Sequence, residues 1–471
     1  VQIETTKTLQ WLYDNAPVNL NEKQRDFLEH FIFKSSGHGC LVGIAGAGKS
    51  TLLTCLKMFY GDKIVFFGSS GISSQNMPNG IGMGTAHSGL SLSIKPATEL
   101  NYRKVSQKTS GLFNSALVEV IVIDEAYLLN SDNLDLIWRR IERFNRKNRN
   151  RPERNIRLLL CGDPCQAVTV MSDEDVKREI HSRWNHHLMF KSTVWDRFDF
   201  TYYLLDKVER QEDKVYKACL DVIRYNQKGR FDNCLKWLNQ RVEYDYPEDT
   251  MILAATNKTV DKINNAVLAR NPNRKFTFKP IIKKDFNIKD TLVREEGVTI
   301  CVGQRVMTIV NCPEGTYQNG STGVITLADT EGCIIKFDHS GEQVRVNVHK
   351  WENKEHYVES SYAEDGSTKE EMKERVVGTM LCLPVLPSSC VSIMKSQGLT
   401  IKEKYVLDVE DSYLYTWDKL KDFGQNFVYL GLSRGTDINN LILARPISPQ
   451  HIKCCEDSIN FWFECKEKSV I

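Results

Sequence analysis

The sequence predicts an α/β protein of tandem parallel-sheet units carrying small insertions, one of them β-rich and barrel-like. Three observations predict it. Short apolar, β-branched runs recur at the length of strands buried on both faces. Helix-like stretches separate them, the alternation that builds α/β layers. From Gly323 the pattern changes to short alternating strands broken by Gly and Asp.

The strand runs are residues 40–43, 64–67, 120–123, 156–161, 251–255, 405–409 and 427–432. Helices are expected over 50–60, closed by Gly61, and over 260–268. Alternation at 333–337 and 343–348 marks the insertion, and residues 352–375 follow with eight acids against four bases.

Composition excludes several classes. With 41% apolar residues and 28 glycines, the 471-residue chain is neither disordered nor fibrous. No apolar run approaches the roughly 18 residues of a membrane span. Residues 1–15 lack a basic patch followed by an apolar core, so no secretory signal is expected, and a first residue of Val points to a fragment. Fourteen scattered cysteines without a C-x-x-C pair read as reduced, buried thiols of an intracellular protein. His181, His186 and His187 can be read as metal ligands or as polar positions of a solvated helix.

The net charge of +2 is a sum over unlike segments. Residues 139–157 carry nine Lys/Arg against two Glu, and residues 258–294 carry ten against three Asp, so each stretch is +7. The rest of the chain is therefore −12. Clustered charge of this kind marks a binding face and leaves a nucleic-acid partner open.

The strongest local signal is Gly43-Ile44-Ala45-Gly46-Ala47-Gly48-Lys49-Ser50, a G-x-x-x-x-G-K-S loop between a strand and a helix. Glycines let backbone amides and the helix N-terminus wrap a phosphate. Lys49 would reach the β/γ-phosphates and Ser50 would ligate Mg²⁺. The strand at 120–123 ends in Asp124-Glu125. Buried carboxylates there need a metal or a donor. Asp124 suits the Mg²⁺ and Glu125 the attacking water of a nucleotide hydrolase. A third strand ends in Gly162-Asp163-Pro164-Cys165-Gln166, where Gln166 can sense a γ-phosphate. Upstream, Asn21 and Gln24 have the spacing of a helix capping box, while Gln24 could also read an adenine edge.

Further segments carry a family resemblance. Gly71, Thr85-Ala86-His87-Ser88, Glu209-Arg210-Gln211, Thr256-Asn257 with Asn264-Asn265, Gly303-Gln304-Arg305-Val306-Met307, Asn319-Gly320-Ser321-Thr322-Gly323, Lys395-Ser396-Gln397-Gly398-Leu399-Thr400 and Leu432-Ser433-Arg434 follow in order. The set, over about residues 20–445, resembles superfamily 1B DNA helicases of the Pif/RecD-like group. The resemblance implies two RecA-like P-loop domains: a first lobe over 1–88 and 119–200, a second over 201–323 and 381–450. Residues 89–118 would form a small wedge insertion, 324–380 the β-rich insertion and 451–471 a C-terminal tail.

It also implies an ATP-dependent helicase moving 5′→3′ on single-stranded DNA and opening forked or tailed duplexes. ATP and Mg²⁺ are the expected cofactors. Lys49, Glu125, Gln166, Arg210 and Arg434 would be catalytic, the two arginines as fingers. Gln24, Gly43, Gly46, Gly48, Lys49, Ser50, Thr51, Gln397 and Gly398 would hold nucleotide, with Ser50 and Asp124 on the metal. Ser70, Gly71, Thr85, His87, Thr256, Asn257, Lys395, Ser396 and Thr400 would track the strand. Replication proteins such as a primase or single-strand binding protein are expected partners, in a nuclear or cytoplasmic replication compartment. Competing readings are a superfamily 1 viral RNA helicase and a nucleic-acid-binding scaffold with weak ATPase. Met394, Gly431 and Gly435 depart from the group's usual His, Ala and Ala, which points to a divergent, viral-type lineage.

Overall fold

The structure, a computed structural model, describes residues 8–471 except 70–72, 74–76, 78–81, 94–95, 99–100, 103–104, 115–117, 148–149, 151–154, 170, 172, 248–249, 285, 287, 289–290, 292, 311, 313, 318–320, 339, 363–367, 398–399 and 411–425. The chain divides into two compact units. The first comprises residues 1–246, 253–256 and 392–471; the second comprises 247–252 and 257–391. Residues 201–246 and 392–450 thus fall in the first unit and 257–323 in the second.

The first unit is built on six parallel strands: β1 (Gly39–Gly43), β2 (Ile64–Gly68), β3 (Gly82–Thr85), β4 (Val120–Asp124), β5 (Arg157–Gly162) and β6 (Thr201–Leu205). Their order is β3-β2-β4-β5-β1-β6, all neighbours parallel. The central strands β1, β2 and β4 are almost wholly buried, which is why they read as continuous apolar runs. In this order the carboxyl ends of β1, β5 and β4 lie side by side, where open α/β sheets bind ligands. The edge strand β6 is covered by the chain's end: Val470 N–H donates to Tyr202 O at 3.0 Å, and Leu204 N–H to Ser469 Oγ at 3.0 Å. The preceding helix, Glu456–Lys468, sends Phe461, Trp462 and Cys465 into the core beneath this sheet.

In the same unit Tyr405–Asp408 and Leu441–Leu443 pair in parallel. The run 427–432, expected as a strand, is a helix, Phe427–Leu432. Periodicity cannot separate a fully buried helix from a strand in six apolar residues. Here Asn426 decides the matter, its side chain accepting Tyr429 N–H at 3.1 Å as an N-cap. Gly431 and Gly435 acquire a local reason. A Cβ at Gly431 would strike the Leu407 side chain, and one at Gly435 would lie 2.8 Å from the Tyr405 ring.

The second unit carries the β-rich region. Gln343–Asn347, Gly332–Phe337, Thr322–Ala328, Arg305–Thr308 and Val385–Pro387 form an antiparallel sheet in that order. His349–Tyr362 and Thr368–Cys382 make a long hairpin with Ile281–Lys284 on its edge. The helix Asn257–Arg270 is tied in by Asn264, which donates to Cys390 O at 2.9 Å and accepts Cys390 N–H at 2.9 Å. No helix among the described residues is long and apolar enough to cross a membrane.

Candidate nucleotide site

The phosphate loop leaves β1 at Gly43 and enters the helix Lys49–Tyr60. Gly46 and Gly48 hold φ of +76° and +84°, a region that favours glycine. Neighbours also leave no room for a side chain: a Cβ on Gly46 would press on Arg210, and one on Gly48 would strike the Gln24 amide. Lys49 Nζ donates to Gly43 O at 2.6 Å and Ile44 O at 3.1 Å, spanning the loop. Ser50 is exposed at the first turn of the helix and Thr51 half-buried.

Gln24 serves the capping box and the loop together. Asn21 N–H donates to its Oε1 at 3.0 Å, its own N–H donates to Asn21 Oδ1 at 3.0 Å, and its Nε2 donates to Ala47 O at 3.0 Å.

At the end of β4, burial, and then the neighbouring Glu125, push the Asp124 carboxyl up to about 7, with Lys49 opposing. A carboxyl so placed calls for a cation, and with the exposed Ser50 hydroxyl and the glycine cradle it fits a Mg²⁺–nucleotide. Glu125 itself sits in the left-handed region, φ 51°, and is 8% exposed. Strain of about 1–3 kcal/mol in such a residue survives only where surroundings impose it. One of those contacts is Gln397, whose Nε2 donates to Glu125 Oε2 at 2.9 Å.

Beyond β5, Gln166 meets Arg434: Nη2 of the guanidinium donates to Gln166 Oε1 at 3.1 Å. Arg434 is 2% exposed, and its other donors reach Leu430 O, Ser396 O and Ser433 Oγ. Burial lowers its pKa, with Glu125 opposing. Arg210 lies nearby, its Nη1 on Ser433 O at 2.7 Å, and burial followed by Arg434 lowers it to about 10. Gln211 Nε2 donates to Gly435 O at 2.7 Å, so the Glu209-Arg210-Gln211 segment clasps the Leu432-Ser433-Arg434 segment.

Three participants escaped the sequence reading. Asp163 and Arg224 form a fully buried ion pair at 2.5 Å. Tyr429 OH donates to Asp163 Oδ2 at 3.2 Å and accepts Ala45 N–H at 3.2 Å, joining the Gln166 turn to the phosphate loop. Arg224 lies 3.9 Å over the Trp462 ring. Asp163, inside Gly162-Asp163-Pro164, gave some signal; Arg224 gave none.

The structure therefore gathers Gln24, Gly43, Gly46, Gly48, Lys49, Asp124, Glu125, Gln166, Arg210, Gln397 and Arg434 around one end of the sheet. Among the strand-tracking candidates, Thr85, Thr256 and Ser396 have hydroxyls engaged within the fold. Thr85 Oγ1 caps Ser88 N–H, and His87 is half-buried with its pKa lowered by burial. Thr256 Oγ1 donates to Glu410 at 3.2 Å. Ser396 is fully buried, its hydroxyl on Ile393 O. Asn257 and Thr400 are exposed and Lys395 half-buried. Ser70, Gly71 and Gly398 lie outside the described residues. His187, expected in a solvated helix if not a ligand, is instead buried past the end of the helix Glu174–Trp184.

Comparison with known proteins follows this geometry. Residues 19–239 match the family model of PIF1-like helicases. The ATP-dependent DNA helicase RRM3 of Saccharomyces cerevisiae is 27% identical over 334 residues, 68% of this chain and 44% of RRM3, so the chain spans less than half of that relative. Among solved structures, Bacteroides Pif1 bound to single-stranded DNA is 22% identical with a TM-score of 0.74, over 96% of this chain and 98% of that one. Pif1 helicase from Candida albicans gives 21% and 0.74, over 95% and 99%. The fold is that of Pif1 proteins, a parallel α/β core with added β-sheets. Over residues 19–239 the chain is thus similar to the PIF1-like helicases.

Proposed function

We propose that this PIF1-like chain is an ATP-dependent DNA helicase that moves 5′→3′ along single-stranded DNA and opens tailed or forked duplexes. The observation that carries the reading is the paired contact of Arg434 with Gln166 and of Gln397 with Glu125. Residues that would sense and activate hydrolysis are each held by the 392–450 segment, so a change at the phosphates is transmitted to that segment.

Lys49, the loop amides and the N-terminus of the helix Lys49–Tyr60 bind and orient the phosphates. Ser50 and Asp124 would hold Mg²⁺, which supplies charge neutralisation on the phosphate oxygens. Glu125 orients water for in-line attack and takes its proton. Arg434 and Arg210 bring positive charge to the transferring group, and their low-dielectric surroundings strengthen that interaction. The lobe boundaries given above, 1–88 with 119–200 and 201–323 with 381–450, belong to this proposal. So do residues 89–118 as wedge, the strand-tracking residues and a replication protein as partner. The fourteen thiols, eleven of them buried, support a reducing compartment, nuclear or at a cytoplasmic replication site.

The test is unwinding of two duplexes, one with a 5′ tail and one with a 3′ tail, in ATP and Mg²⁺. Opening of the 5′-tailed substrate alone is expected. Opening of only the 3′-tailed substrate overturns the polarity, and hydrolysis stimulated by RNA but not DNA overturns the substrate.

A further inference from the structure

Away from the nucleotide site, three histidines converge. His181 lies in the last turn of the helix Glu174–Trp184, and Asn185, in the left-handed region at φ 70°, turns the chain so that His186 and His187 return toward it. One ring nitrogen from each lies within 4.8 Å of the others. His181 Nε2 and His187 Nδ1 are 2.8 Å apart with ring planes 12° from parallel. The backbone beneath is fixed, because Ser131 N–H donates to His187 O at 3.1 Å and Ser131 Oγ donates to His186 O at 2.5 Å. Asp457, in the first turn of the helix Glu456–Lys468, places Oδ2 4.0 Å from His186 Nε2.

We propose that His181, His186, His187 and Asp457 bind one divalent transition-metal ion of the Zn²⁺ class. Three imidazoles and a carboxylate suit Zn²⁺ and not Mg²⁺ or Ca²⁺, which take oxygen donors. Metal–nitrogen bonds of about 2.0–2.1 Å in a tetrahedral site put ligand atoms about 3.4 Å apart. The His181–His187 pair must open by about half an ångström, imidazole separations of up to 4.8 Å must close by as much as about 1.4 Å, and Asp457, outside that group and 4.0 Å from His186, must swing inward, which side-chain rotation supplies. Lys191 Nζ holds the other Asp457 oxygen at 2.6 Å, the outer-shell contact that orients a ligating carboxylate. Leu188 N–H now donates to His186 Nδ1 at 3.0 Å. Coordination through Nε2 places the ring proton on Nδ1, so that contact is what the site gives up. The ion would pin the helix Glu456–Lys468, whose Phe461 and Trp462 complete the core, to the helix Glu174–Trp184. Bound metal then appears as folding stability.

The test uses the full chain, stripped with chelator and titrated with Co²⁺ in excess Mg²⁺. One Co²⁺ per chain is expected, with tetrahedral ligand-field bands, no thiolate charge-transfer band, and displacement by Zn²⁺. With the Mg²⁺ already in excess, Zn²⁺ should raise the melting temperature further, where more Mg²⁺ does not. His186→Ala and Asp457→Asn should each weaken binding by about tenfold or more. Absence of stoichiometric binding, a thiolate band, or unchanged affinity in His186→Ala overturns the site. Should that variant fail to fold, modification of the histidines by diethyl pyrocarbonate decides on the unaltered protein. Protection of all three by Zn²⁺ supports the site, and equal labelling with and without the ion overturns it.

Discussion

Arg434 and Gln166 stand 268 positions apart in the chain, yet the guanidinium donates to the Gln166 side-chain oxygen at 3.1 Å within a buried pocket. Hydrogen bonds to Leu430 O and Ser396 O hold the guanidinium there. A buried cation beside Gln166 suits stabilisation of charge that develops on the phosphates. Arg434→Ala should lower DNA-stimulated ATP hydrolysis by about 10³-fold or more, the scale of arginine fingers, while nucleotide binding persists. Normal turnover in the folded variant would remove Arg434 from the site.

Glu125→Gln separates chemistry from binding. The amide can still accept the Gln397 hydrogen bond now made at 2.9 Å, so the local structure should stand. Hydrolysis should fall to near background while fluorescent ATP analogues bind with little change. A variant that hydrolyses ATP well excludes Glu125 as the base.

The buried Asp163–Arg224 pair braces the turn that carries Gln166. Arg224→Met leaves the buried Asp163 with neutral donors from Tyr429, Gln166 and the Cys165 backbone, and a loss of about 3–5 kcal/mol is expected by urea denaturation. Adding Asp163→Asn should recover part of it. Equal loss in single and double variants would show that the pair is not coupled.

Gly431→Ala sets two effects against each other. An alanine in a helix gains about 1 kcal/mol over glycine, but here its Cβ meets Leu407. Overpacking costs about 1–3 kcal/mol, so a net fall in melting temperature is expected, relieved by Leu407→Val. Stabilisation by Gly431→Ala would show that Leu407 moves aside freely.

The Asp124–Glu125 pair predicts a pH dependence. Its carboxyl at Asp124 is raised from 3.8 to about 7, so between these values the folded chain holds a proton that the unfolded chain has lost. Without metal, stability should therefore fall as pH rises from about 4 to 7 and level off above. Asp124→Asn should flatten that slope, and Mg²⁺ should stabilise most at the upper end. A pH profile identical in wild type and Asp124→Asn would refute the assignment.

The parallel core was legible because strands buried on both faces write themselves as apolar runs. Residues 64–67 and 120–123 fall within β2 and β4, and the phosphate loop lies where strand and helix flank it. The strand β3, Gly82–Thr85, was missed because Gly-Met-Gly-Thr carries no strand signature. Residues 427–432 were misread for the opposite reason, being too uniformly apolar to show a period.

By itself, the sequence determined where the candidate site lies: the glycines, Lys49 and Ser50 of the phosphate-type loop, the Asp124-Glu125 pair at a strand end, and clustered charge despite a near-neutral total. Those signals are local, so spacing alone encodes them. Only the tertiary structure decided that Gln397 holds Glu125, that Tyr429 joins Asp163 to the phosphate loop, and that Arg224 stacks on Trp462. Such contacts join residues hundreds of positions apart, and they exist only once the parallel sheet sets the ends of β1, β4 and β5 side by side.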